Sequence, residues 1–134
     1  MLEDLNVNIK IKLSALWAAV MSCYIYCDYF QLYVPGKLDA MLSGTTRFGQ
    51  GDQGVLLGLS SIMLITSLMI ALSVLLPARI NQIVNVVVGV IMTLFLAYLA
   101  YIVEWYFYQM YAVVEALLTL LIVIMAWRWP RQAR

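Results

Sequence analysis

The chain has 134 residues, 65% of them hydrophobic and only 11% charged, against roughly 45–50% and 25% in soluble globular domains. A soluble domain of that composition has too little polar surface to cover itself, so lipid is expected to cover it. A net charge of +1 without a long basic run excludes nucleic acid as a partner, because phosphate binding needs clustered Lys and Arg.

The chain begins with a lead-in in which Leu2, Leu5, Val7, Ile9 and Ile11 alternate loosely with Glu3, Asp4, Asn6 and Asn8. It suits either an interfacial segment or an unstructured one. Four stretches then meet the requirement of about 20 mostly apolar residues for a helix that crosses a hydrocarbon core. They run from Leu13 to Val34, Val55 to Leu76, Ile80 to Ile102 and Tyr106 to Trp127.

The first stretch follows Lys10 and Lys12 as a signal peptide would, but it is too long for such a segment and no small-x-small cleavage site follows. It is read as retained. Within it stand the two cysteines, Cys23 and Cys27, one helical turn apart. That spacing puts them on one face without suiting a disulfide or a paired metal motif, and they read as small packing residues.

The connections are unequal. Pro35 to Gly54 forms the only long loop and holds five of the seven glycines, so it is either functional or mobile. Within it, Lys37 to Leu42 suits one or two amphipathic turns. Pro77, Ala78 and Arg79 instead make a tight turn that should hold the second and third spans antiparallel and adjacent. The second span carries Gly54, Gly58, Ser60, Ser61, Thr66 and Ser67, and the third Asn81, Asn85, Gly89 and Thr93. Such small and polar residues favour close helix approach.

Orientation follows the bias of Lys and Arg next to the spans. Lys10, Lys12, Arg79, Arg128, Arg131 and Arg134 fall on one side, Lys37 and Arg47 on the other. Both termini are therefore expected in the cytoplasm, with insertion in the inner (plasma) membrane in one direction only. Trp105, Trp127, Trp129, Tyr33, Tyr101, Tyr106 and Tyr108 near the span ends read as interfacial belts.

Three acids lie in or at the membrane: Asp28, Glu104 and Glu115. Intramembrane acids are costly, face the bundle interior and mark functional sites by default. Asp28 lies six residues before Val34 and Glu115 nine after Tyr106, so at about 1.5 Å per residue both should sit on the order of 10 Å below one boundary. Trp17, Met21, Tyr24, Asp28 and Gln31 share a face of the first span, and Tyr108, Tyr111, Glu115 and Thr119 one of the fourth. With no Lys or Arg inside these spans, burial and mutual repulsion oppose ionisation of both acids together.

Three readings of Asp28 and Glu115 stay open. The leading expectation is a small membrane protein that transports or conducts a proton, cation or small cationic solute through this pair. The alternatives are a membrane-embedded binding protein or isomerase-like enzyme for a small amphipathic ligand, and an accessory subunit in which the pair is neutral hydrogen-bonding glue. The candidate residues are Asp28, Glu115, Tyr24, Tyr111, Gln31 and Glu104. No cofactor or metal is expected, since the chain has no His, the commonest metal ligand and general base near neutral pH. An enzyme is the less favoured class.

The run Asp28 to Leu38 with Leu13 to Ala19 before it, then Gly54 to Leu76, Pro77 to Gly89 and Trp127 to Arg131, resembles a family of small bacterial membrane proteins of unknown function. That family carries a glycine before Asp-Tyr-Phe and a glutamate after it, where this chain has Cys27 and Gln31. The resemblance implies four membrane helices and no particular activity. The expected fold is thus an all-α, integral membrane four-helix bundle in up-down-up-down order over 1–134. Four short spans enclose little space, so a transport path would need a second subunit and a homo-oligomer, a dimer first, is expected. The other partners are the lipid bilayer and a small ligand or ion.

Overall fold

Asn8 starts the first helix earlier than its hydropathy does, because its side chain accepts a hydrogen bond from the Lys10 backbone N–H at 2.9 Å. In the computed structural model, which describes residues 2–131, α1 therefore spans Ile9–Gln31 rather than 13–34. At its other end Leu32, Tyr33 and Val34 leave the helix in tight turns, each backbone N–H bonding three residues back. Pro35 explains the early stop, since the residue before a proline is kept out of the helical region.

A short helix α2 (Lys37–Leu42) and a hairpin of β1 (Thr45–Thr46) and β2 (Gly49–Gln50) follow. Three long helices complete the chain: α3 (Gln53–Leu75), α4 (Ala78–Ile102) and α5 (Tyr106–Trp127). Asp52 caps α3 by accepting from the Val55 N–H at 2.8 Å. The expected all-α four-helix bundle is found, and α1, α3, α4 and α5 are all long and apolar enough to cross a membrane. Tyr33, Tyr101, Tyr106 and Trp127 stand exposed at helix ends, as interfacial rings do.

Two expectations change. Lys10 and Lys12 belong to α1 rather than preceding it, and the Lys10 ammonium reaches across to donate to the Leu76 carbonyl at 2.6 Å. A cation thereby satisfies a bare carbonyl at the end of α3, where the helix dipole is negative. Arg134, counted above among the cations of that side, lies outside the described residues.

The second change concerns helix order. The tight turn at Pro77 does not bring α3 and α4 together along their length. Instead α4 packs most extensively on α5, while α1 packs on both α3 and α5. The α4–α5 seam is close because Gly89 has no side chain: a Cβ there would lie 2.7 Å from Val123 Cγ2. Across the same seam the Thr93 and Thr119 hydroxyls meet at 2.9 Å.

What joins α3 to α4 is a buried polar cluster near their turn. The Asn85 amide donates to Asn81 Oδ1 at 2.7 Å, and its Oδ1 accepts from Trp17 Nε1 at 2.7 Å and Ser73 Oγ at 3.3 Å. The Asn81 amide donates to the Ser73 carbonyl at 2.7 Å. Around it Leu13, Trp17, Val20, Met69, Ile122 and Ala126 are almost wholly buried. The core of the half nearest the chain termini is thus closely packed, and a cavity of about 830 Å³ lies outside it, where Asn8, Lys12, Leu121 and Trp129 are among the lining residues.

Asn85→Ala should orphan the Trp17 N–H and one Asn81 oxygen in an apolar setting, at a cost of about 1–3 kcal/mol. A thermal unfolding midpoint measured in detergent is expected to fall, and an unchanged midpoint would show that the cluster holds nothing together.

Candidate functional site

At the loop end the helices part. Because α3 and α4 do not close on one another there, a cavity of about 500 Å³ opens among α1, α3, α4 and α5, with the loop as its roof. Its apolar wall includes Leu59, Ile62 and Met63 of α3 with Phe95 and Leu99 of α4. Such a volume falls in the range of small-molecule pockets and far exceeds what one ion needs.

The roof is ordered by its backbone. Gly44 and Gly49 have φ of 75° and 112°, values open to glycine at little cost, and they let the chain reverse twice within a few residues. Thr46 Oγ1 donates to the Gly49 carbonyl at 2.7 Å and accepts from the Phe48 N–H at 3.2 Å. The hairpin tip therefore carries Arg47 and Phe48 to the cavity. The Arg47 guanidinium lies 4.7 Å from the centre of the Tyr108 ring, an attractive arrangement of cation over π face.

Of the residues singled out from sequence, Asp28, Glu115, Tyr24 and Gln31 all line this cavity. They are not equivalent. Because α1 ends at Gln31, Asp28 stands in its last turn, exposed, with Gln31 donating to its Oδ1 at 3.4 Å. Glu115 is 3% exposed and sits nine residues into α5. The two acids line the same cavity and differ in exposure, Asp28 being exposed and Glu115 buried.

Glu115 is also the anomaly of the site. Its Oε1 is buried without a hydrogen-bond partner, and so is the hydroxyl of Tyr24. Burying such groups unpaired costs several kcal/mol for a charge and about 1–3 kcal/mol for a hydroxyl. Both atoms belong to residues that line the cavity.

Two other candidates lie elsewhere. Tyr111 is half-buried on α5 and is absent from the cavity lining. Glu104 is exposed in the break between α4 and α5, where Gln109 Nε2 donates to the Val103 carbonyl at 2.8 Å. It lines a smaller neighbouring cavity of about 330 Å³, which shares Gln31, Lys37, Arg47 and Tyr108 with the larger one.

The main omission of the sequence reading was cationic. Lys37 and Arg47 both line the large cavity, so the acids share their space with cations held by the loop rather than by the spans. Neither cation donates a hydrogen bond to Asp28 or Glu115 among the described residues. The available clue was that these are the only Lys and Arg between the first two spans. No group of three His, Cys, Asp or Glu able to hold a metal occurs among the described residues.

The fold and cavity define a class, a small four-helix bundle of membrane-spanning type with an internal amphipathic cavity roofed by one loop. The chain belongs to the family of unknown function DUF6326, which matches residues 2–134. No curated protein and no solved structure matches it.

Cys27 supplies a probe of the cavity, being 5% exposed and part of the lining, whereas Cys23 is not part of it. In a Cys23→Ser background a small methanethiosulfonate should label Cys27, and Met63→Trp, by filling the cavity, should slow that labelling. Equal rates with and without the tryptophan would mean that the reagent reaches Cys27 by another route.

Proposed function

We propose that this protein binds a small amphipathic ligand within the membrane, in the cavity at its loop end. One observation carries the reading: Glu115, whose buried Oε1 has no hydrogen-bond partner among the described residues, is one of the residues that line a cavity large enough for an organic molecule. Binding would supply the missing partner and cover apolar wall at once. On this reading the cavity faces the outer side of the inner membrane with both termini cytoplasmic, a reading supported by the excess of Lys and Arg at the other end. Loading from the loop end is supported by the close packing around Trp17 and Asn85.

A ligand screen read by thermal unfolding in nanodiscs tests this. A bound ligand at about a hundred times its Kd stabilises by about 2.7 kcal/mol. Amphipathic compounds are expected to raise the midpoint of the wild type but not of Met63→Trp or Glu115→Gln. A hit that stabilises all three proteins equally acts through the bilayer and counts against the site.

Transport or conduction of a proton, a cation or a small cationic solute through Asp28 and Glu115 is a second reading. The sparse contact between α3 and α4 favours it, because these helices can part further. On this reading a passage needs more wall than one bundle supplies, so a homodimer is proposed with it. Asp28→Asn and Glu115→Gln should then abolish pH-dependent flux in proteoliposomes while leaving the dimer intact, and undiminished flux in both variants would exclude it.

A further inference from the structure

The charged and polar groups around the cavity differ in exposure. Glu115 and Tyr24, 3% and 6% exposed, are lining residues that each hold a buried oxygen without a partner among the described residues. The loop end holds two cations, Lys37 and Arg47, with the carboxylate of Asp28 in the same cavity and that of Glu104 in the adjoining one. The wall is apolar at Met63, Phe95 and Leu99. A neutral amphiphile with an O–H or N–H could donate to Glu115 but would leave the cations of the loop without a counter-charge, and a simple anion would meet the buried acid unfavourably.

The geometry points to an amphipathic zwitterion as the ligand, held with its protonated amine against Glu115 and Tyr24 and its anionic group against Arg47 and Lys37. This inference rests on the binding reading above and specifies its chemistry. The buried oxygens need a donor, so the amine must carry at least one N–H, and a quaternary ammonium cannot serve. Charge-assisted hydrogen bonds form at Glu115, and the guanidinium of Arg47 offers the planar fork that suits a carboxylate or phosphate. Its seat over Tyr108 keeps it at the cavity. A soluble amino acid with an apolar spacer presents this chemistry, whereas an aminophospholipid headgroup, with only an ethylene unit between amine and phosphate, does not.

The test uses the full chain in phosphatidylcholine nanodiscs and four matched probes: ω-aminooctanoate, its N-trimethyl analogue, octylamine and octanoate. Binding is read as the thermal shift over that of Met63→Trp, which removes simple partitioning into lipid. ω-Aminooctanoate is expected to bind tightest. Glu115→Gln should weaken it about a hundredfold and Arg47→Ala about tenfold, the larger loss falling on the more buried contact. Arg47→Ala should leave octylamine unaffected, which a general loss of folding would not do.

Equal affinity for octylamine and ω-aminooctanoate would overturn the zwitterion while leaving the binding site standing, as would equal affinity for the trimethyl analogue. Silence of all four probes would also overturn it, and the wider screen then judges the binding reading by itself. Phosphatidylethanolamine added to the nanodiscs should not compete with ω-aminooctanoate, and competition that is lost in Glu115→Gln would overturn the requirement for an apolar spacer.

Discussion

The arrangement of this bundle depends on one buried amide. Asn85 of α4 accepts from Trp17 of α1 and Ser73 of α3 and donates to its neighbour Asn81. In lipid, helices gain little by burying apolar surface against one another, because the tails are as apolar as leucine. Polar ties and close approach at small residues then decide which helices meet. Asn85 binds three helices at one level, while Gly89 and the Thr93–Thr119 pair close a different seam, α4 on α5.

The consequence is an asymmetry along the bundle axis. Every strong polar tie to α3 lies towards the chain termini: Lys10 on the Leu76 carbonyl, Ser14 on the Ile70 carbonyl, and Asn81 on that of Ser73. Towards the loop, α3 and α4 have no comparable tie, and the cavity occupies the space they leave. The same polar economy that closes one half thus opens the other. The loop completes the enclosure, its fold set by backbone bonds at Thr46 and by two glycines with positive φ.

Glu115 concentrates the functional question because it departs from that economy. Asn81, Asn85 and Thr119, equally buried, find partners, whereas one Glu115 oxygen and the Tyr24 hydroxyl do not. A bundle stabilised by satisfied polar groups gains nothing from these two unless something else satisfies them. That contrast within a single chain supports the proposal of a ligand site over simple glue.

The sequence by itself determined the membrane class, the number of spans and the residues available for chemistry. Crossing hydrocarbon requires long apolar runs with every backbone bond made internally, so four such runs leave few alternatives. Intramembrane acids stand out for the same reason of cost. Span ends were less certain, because hydropathy does not register the cap at Asn8 or the turns that Pro35 imposes. Only the tertiary structure decided which helices are neighbours, since apolar faces look alike and a few buried polar atoms choose among them. It also brought Arg47 and Lys37 into the acids' cavity, through loop geometry that has no periodicity to read, and it left Asp28 exposed and Glu115 buried.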